Sequence, residues 1–256
     1  MATSQAERTE GVTPLAIRVA ETVEEFEACV QLQRRVWRFD DLDLVPRRVF
    51  VVARKIGGQT LTAWDGGKLA GFTLALPGHR PGQTFWHSHM LAVAPLYRDH
   101  GLGRKLKLRQ RDEALALGFD LIEWTFDPLE IKNGYFNLER LGAIARHCHS
   151  NLYGATSSAL QAGLPTDRLT AEWWLRTPRV AALAADAPPP PQQVVAEVAV
   201  PAALEDWKKN EDARASQEQR HITAALQAGF AQGFAAVGYE RSQAGGKFLL
   251  GPWEPA

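Results

Sequence analysis

Apolar and polar residues alternate over residues 15–21, the period of a strand, and the chain then changes pattern. Thr22 and Glu25 place a hydroxyl and a carboxylate where the first free amides of a helix need partners, and Phe26, Cys29, Val30 and Trp37 give that helix one apolar side. A second helix is predicted over residues 46–55, stopped at Gly57 and Gly58. Strand-like runs at 60–64 and 69–76 meet at Asp65, Gly66 and Gly67, a strong hairpin signal, and a third run covers 84–93. From residue 101 to 117 the period becomes helical, with Leu102, Leu106, Ala114 and Leu117 on one side. A strand at 121–126, a helix at 129–141 closed by Gly142 and a strand at 143–153 follow, and residues 172–175 add a short extended run. Hairpin-linked strands followed by helix-linked strands predict an α/β (α+β) fold, a mixed sheet with helices on its faces.

Past residue 178 the composition shifts to alanine and then to four prolines at 188–191, which predicts a stiff linker over residues 179–193. Beyond it a strand is predicted over 194–200. Ile222, Leu226, Phe230 and Phe234 fall four apart along a helix ending near Gly238, and residues 238–243 and 247–250 read as a closing hairpin. Gly229 and Gly233 inside that helix cost about 1 kcal/mol each relative to alanine, so a neighbour is expected to pack closely against them. A core of roughly sixty residues is marginal alone, so this extension is expected to lean on the first unit. The division predicted is a polar tail (1–13), a first domain (14–178), the linker (179–193) and a small α+β extension (194–256).

Composition narrows the classes. Hydrophobic residues make up 45% of the 256-residue chain and Lys+Arg balance Asp+Glu at 29 each, which excludes a disordered chain and argues against a surface built for nucleic acid. Two distant cysteines, Cys29 and Cys148, do not make a disulfide scaffold and are read as small buried hydrophobes. No run of about 18 apolar residues predicts a membrane span. The polar start lacks the basic-then-apolar pattern of a secretory signal, so a cytoplasmic location is expected.

Residues 91–106 carry the most informative pattern. Leu91, Ala92 and Val93 end a strand, Pro95 bounds a turn, and Arg98, Asp99, His100, Gly101, Leu102, Gly103 and Arg104 lead into a helix with the spacing Arg-x-x-Gly-x-Gly. Glycines let a ligand approach the backbone, and the first amides of the helix together with its dipole favour an anion, best a phosphate. Arg98, Arg104, Lys105, Lys107, Arg109 and Arg111 add positive charge against Asp99, and are read as a solvated, phosphate-facing helix. A nucleotide P-loop would need Gly-Lys-Ser/Thr here, and a dinucleotide fold would want a third glycine where Leu106 stands.

This segment resembles the signature of the GNAT superfamily of acyl-CoA-dependent N-acyltransferases, Arg/Gln-x-x-Gly-x-Gly/Ala between the fourth strand and third helix, and the preceding Leu-Ala-Val-x-Pro is similar too. The order of elements over residues 15–153 matches, as does the later helix ending in Arg140, Leu141 and Gly142. More narrowly, the chain resembles a bacterial subgroup with a C-terminal extension, some of whose members are associated with N-acylamino acid metabolism. The resemblance implies a mixed, mostly antiparallel central sheet, the pyrophosphate of acetyl-CoA or another acyl-CoA (succinyl-CoA included) on the amides from Asp99 to Arg104, and pantetheine beside Leu91, Ala92 and Val93 and near Asn133. It implies further that a backbone amide near Leu91 faces the thioester oxygen. No metal is implied.

His87 and His89, two apart on one strand, share a face, and His87 stands where family members often place a carboxylate base; either imidazole suits the role. The family's acid is a tyrosine at the place of Leu138, and Tyr135, one turn earlier, is the candidate substitute. Glu123, alternating with Thr125 and Asp127, is a reserve base, and Glu123 and Thr125 are candidate substrate contacts. The first two helices shape the acceptor pocket in this family, which points to Trp37 and Arg38, with Arg47 and Arg48 nearby. The partners expected are a small-molecule amine, with amino acids among the candidates, and at most a second copy of the chain in a homodimer; nucleic acid and membrane are not expected. Two rival readings stand beside this one. His87-x-His89 with His147-x-His149 offers imidazoles for zinc, and a non-catalytic acyl-CoA sensor would explain Leu138. Leu108 and Leu115, off the main apolar side of the loop helix, are expected to be covered by the extension or a second subunit.

Overall fold

Thr22 and Glu25 cap the first helix reciprocally, the Glu25 amide donating to Thr22 Oγ1 and the Thr22 amide to Glu25 Oε2 (3.3 and 3.1 Å), in the computed structural model of the chain, which describes residues 15–38, 41, 43–154 and 161–255. The expected tail at 1–13 lies outside the described residues. The first unit runs β1 (Ala16–Val19), α1 (Val23–Trp37), α2 (Arg47–Lys55), β2 (Gln59–Asp65), β3 (Lys68–Arg80), β4 (Gln83–Val93), α3 (Leu102–Ala116), β5 (Leu121–Phe126), α4 (Ile131–Tyr135) with a π-helical turn (Phe136–Arg140), β6 (Ile144–His149) and β7 (Arg168–Trp174). A short helix α5 (Pro178–Ala184) leads to β8 (Ala196–Pro201), α6 (Leu204–Lys209), α7 (Ala213–Ala231), β9 (Phe234–Ser242) and β10 (Gly245–Pro252).

Among the described residues all the strands join one sheet in the order β1-β2-β3-β4-β5-β7-β6-β9-β10-β8. Every pairing is antiparallel except β4 with β5, which is parallel and consists of Trp86 with Ile122 and His87 with Glu123 alone. Beyond that point the two strands part. Just there β4 also bulges against β3, since Leu74 pairs with Met90 and Ala75 with Ser88, so that His89 is the extra residue.

Several elements differ from the sequence pattern. The last long helix ends at Ala231, not near Gly238, because Gly233 turns left-handed (φ +87°) and Phe234 opens β9; its four-residue spacing from Phe230 is coincidental. The expected close neighbour exists at Gly229, where a Cβ would lie 2.5 Å from Leu250 Cδ1, whereas Gly233 faces open space and serves the turn. Residues 172–175 are the end of the full strand β7, which inserts between β5 and β6. The strand expected at 143–153 stops at His149, and the segment expected to begin the linker forms α5, whose Val180 is buried. The extension adds its strands to the main sheet through Ala145 and Ala236. Leu108 and Leu115 are half-buried against the main apolar core, which also contains Val180. Among the described residues no helix is long and apolar enough to cross a membrane.

Candidate functional site

A cleft of about 530 Å³ opens where β4 and β5 diverge. Ser88, His89, Met90 and Leu91 of β4 form one wall and Trp124 to Asp127 the other. Trp37 and Val45 close it on the side of the first two helices, Asn133, Phe136 and Asn137 on the side of α4, and Tyr153 and Thr166 of the β6–β7 connection flank it with Arg168, the first residue of β7.

The glycine loop leads from the end of β4 to α3. Asp99 and Gly101 are both left-handed (φ +63° and +74°), and α3 starts with no side-chain cap, so the amides of Leu102, Gly103 and Arg104 have no partner within the helix. Gly103 is the inner wall of this approach: a Cβ there would touch Leu91, Phe136 and Val93 at 3.7–3.9 Å. Ala92 and Leu102 are buried and Val93 half-buried, so these three can contribute backbone far more than side chain, while Arg98, Asp99, His100 and Gly101 stand at the surface.

The basic residues of α3 form the expected solvated face only in part: Lys105 and Arg109 are exposed, whereas Arg104, Lys107 and Arg111 are covered. Arg104 donates to the Leu183 carbonyl (2.5 Å) and pairs with Asp186 (2.8 Å), Arg111 donates to the Leu175 carbonyl (3.1 Å), and Arg109 pairs with Glu113. Lys107 turns inward to the cleft and is 2% exposed. Amphipathic helix patterning marks which side is apolar; it does not reveal that a later segment, here β7 and α5, will cover the other side.

Of the two histidines, His89 lines the cleft and reaches solvent through it, while His87 lies deeper and is not part of its lining. Their ring centres are 5.8 Å apart. Burial lowers the pKa of both, and for His87 the neighbouring His89 and Lys107 lower it further, to about 4. Both are therefore neutral near pH 7.

Other sequence candidates divide between those the fold gathers and those it does not. Trp37, Leu91, Thr125 and Asn133 line the cleft, Thr125 with its hydroxyl 2.7 Å from that of Tyr153. Glu123, expected as reserve base and substrate contact, points elsewhere and accepts from Arg80 at 2.6 Å, because the residue that follows the β4–β5 contact, not the one within it, faces the opening. Arg38 is the left-handed C-cap of α1 and Arg47 pairs with Glu27, and neither they nor Arg48 belong to the lining. Tyr135, the candidate acid, lies under the guanidinium of Arg241 (4.2 Å) outside the cleft, and Leu138 is fully buried in the core.

Sequence reasoning missed Ser88, Asn137 and Arg168, and read Lys107 as solvated. It also missed that the extension reaches this wall: Lys208 of α6 pairs with Glu130 (2.8 Å) and approaches Asp127 Oδ2 (3.8 Å), which Arg168 approaches as well (3.7 Å). Burial raises the Asp127 pKa, against the opposing pull of Lys208, the Leu129 amide and Arg168. Asp127 was legible by alternation with Thr125, whereas Lys208 is some eighty residues away and carries no local signal.

The two histidine pairs sit on β4 and β6, with β5 and β7 between them, and among the described residues no group of three or more metal-ligating side chains is close enough to hold an ion.

A divergent β4–β5 pair, a bulged β4 and an uncapped helix after a glycine loop fit a GNAT-like architecture. The family model "Acetyltransferase (GNAT) family" matches residues 23–136. Solved structures with this fold include the ribosomal-protein-S18-alanine N-acetyltransferase from Escherichia coli (18% identity, TM-score 0.50, covering 64% of this chain and 95% of that one). Another is an aminoglycoside 6'-acetyltransferase type Ii (20% identity, TM-score 0.51, covering 63% and 98%). No curated protein matches the chain. The chain has a GNAT-like fold, and each of these structures is nearly spanned by less than two thirds of it.

Proposed function

We propose that the protein transfers an acyl group, acetyl or succinyl, from coenzyme A to the amine of a small molecule, an amino acid being the acceptor class that suits the cleft. The observation that carries this reading is the opening between β4 and β5, which starts directly after the His87–Glu123 pair and is lined by Leu91 of β4, Lys107 of α3 and Trp37 of α1. A diphosphate on the amides of Leu102 to Arg104 and pantetheine along Leu91 would bring a thioester to the bulge at His89, where the interrupted ladder frees backbone groups of β4 to meet a developing oxyanion.

His89 is the base in this scheme. It is neutral near pH 7, stands on the cleft wall, and takes a proton from the acceptor ammonium directly or through water. The acceptor side carries both signs, Asp127 and Glu130 for an ammonium and Arg168 for an α-carboxylate, which favours a zwitterionic acceptor.

The test is release of free coenzyme A from acetyl- and succinyl-CoA against an amino-acid panel, with calorimetry of coenzyme A binding alongside. His89→Ala is expected to lower kcat about 100-fold and His87→Ala by no more than about threefold. Equal rates in the three proteins would remove the histidine base. Tight coenzyme A binding without turnover on any amine would favour the sensor reading, to which the buried Leu138 in the place of an acid already points.

A further inference from the structure

Among the ionisable groups of the cleft that the scheme above leaves idle, Lys107 is the most deeply buried. Lys107 projects from the middle of α3 onto the inner wall of the cleft, where its Nζ lies 3.7 Å from the centre of the Trp124 ring and 5.3 Å from that of Trp173. Ser88 Oγ and Gln110 Oε1 are each 3.0 Å from it, and they are 2.9 Å from one another. The elements packed around the amine present Trp124 from β5, Trp173 from β7, Ser88 and His87 from β4, and Gln110 from its own helix; of these only His87 titrates. Among the described residues no carboxylate comes within ion-pair distance of Nζ.

A lone ammonium in such a place lacks the counter-charge that a buried cation needs, and burial pushes the Lys107 pKa well below the ordinary lysine range. The neighbours the amine has are a hydroxyl oxygen, an amide oxygen and two indole rings, none of which carries a full negative charge. A neutral lysine removes that uncompensated charge. Ser88 connects this amine to the reaction space, for its side chain is both the Lys107 partner and part of the β4 wall beside His89.

We propose that Lys107, through the Ser88 hydroxyl, receives the second proton that the acceptor nitrogen loses as it bonds to the acyl carbon. The proposal rests on the transfer reaction above. His89 removes the first proton from the acceptor ammonium; the nitrogen lone pair then attacks the thioester carbon, and the carbon–sulfur electrons leave with the sulfur. The extra proton on nitrogen passes to Ser88 Oγ as the Ser88 proton passes to Nζ, and the resulting ammonium returns a proton to the departing thiolate. The products are an amide and free coenzyme A thiol, with Lys107 neutral again. This route needs no tyrosine at position 138.

Two measurements test it. In full-length protein carrying 13C-labelled lysine, the Lys107 side-chain resonance, assigned by its loss in Lys107→Met, is expected to titrate at lower pH than the other lysines. A resonance that titrates with the surface lysines overturns the proposal, and this readout does not depend on activity. In turnover, Lys107→Met and Lys107→Arg are each expected to lower kcat about 100-fold with the calorimetric Kd for coenzyme A within about threefold of wild type. The acid limb of the wild-type kcat profile that reports Lys107 is expected to vanish in both. Methionine matches the length of lysine and needs no partner, so the Lys107→Met melting temperature should equal or exceed that of wild type. Lys107→Arg with nearly wild-type kcat overturns the proposal, because a guanidinium supplies charge but accepts no proton. Failure of the wild-type protein to bind coenzyme A would instead strike the transfer reading itself, so the two failures are told apart.

Discussion

His87 shows how a single residue can couple the site to stability. An unfolded histidine titrates near pH 6.5, whereas the folded protein holds His87 neutral until about pH 4. Between those values the unfolded chain binds the extra proton and the folded one does not, so stability falls as the pH drops from 6.5 towards 4 and is unaffected by this group above 6.5. The loss is at most about 3 kcal/mol, since a tenfold difference in proton affinity is worth about 1.4 kcal/mol. Urea midpoints at several pH values in this window should therefore fall less steeply in His87→Gln than in wild type; identical slopes would show that another group governs the acid limb. The chemistry of neighbouring positions on β4 was legible from composition and spacing, because alternation places His87 and His89 on one face. Which of them reaches the cleft was not, because the bulge that singles out His89 depends on its pairing with β3.

Among the helices, α4 owes its position to a contact from the other end of the chain. Gly134 is buried, and a Cβ there would lie 2.6 Å from Cε2 of Tyr239, whose amide donates to Glu139 Oε1 at 2.7 Å and whose ring stands edge-on to Phe248. Alanine would favour the helix by about 1 kcal/mol on propensity alone, but the Tyr239 ring is fixed on both sides and cannot yield. Gly134→Ala is expected to destabilise the protein by about 1–3 kcal/mol in chemical denaturation, the range of an overpacked core. A neutral or stabilising result would mean that β9 can shift away from α4. Because Asn133, Phe136 and Asn137 line the cleft from this helical segment, the same substitution is expected to weaken coenzyme A binding.

One continuous sheet runs through the protein, and the C-terminal strands complete it. Removing residues 194–256 would uncover the edge of β6 and strip Glu139 of the Tyr239 amide, Asp167 of the Thr223 hydroxyl and Glu130 of the Lys208 ammonium. An unpaired inner strand beside stranded carboxylates is an aggregation site. The truncated chain, residues 1–193, is expected to elute as aggregate in size-exclusion chromatography, and a soluble monomer melting like the full-length protein would show that the first unit is self-sufficient. Lys208 also links the extension to the cleft wall at Asp127 and Glu130, so the two units are joined at the site as well as along the sheet.

Whatever depends on near neighbours could be read from the order of residues. The capping box at Thr22, the hairpin turn at Asp65, the order of strands and helices, and the uncapped, glycine-led start of α3 all follow from residues within a few positions of one another. Long-range packing set the insertion of β7 between β5 and β6, the parting of β4 from β5, the role of Lys208 and the burial of Lys107. A lysine on a helix looks solvated until one knows what packs over it, and here Trp124 and Trp173, from strands that come later in the chain, remove the water from around its amine.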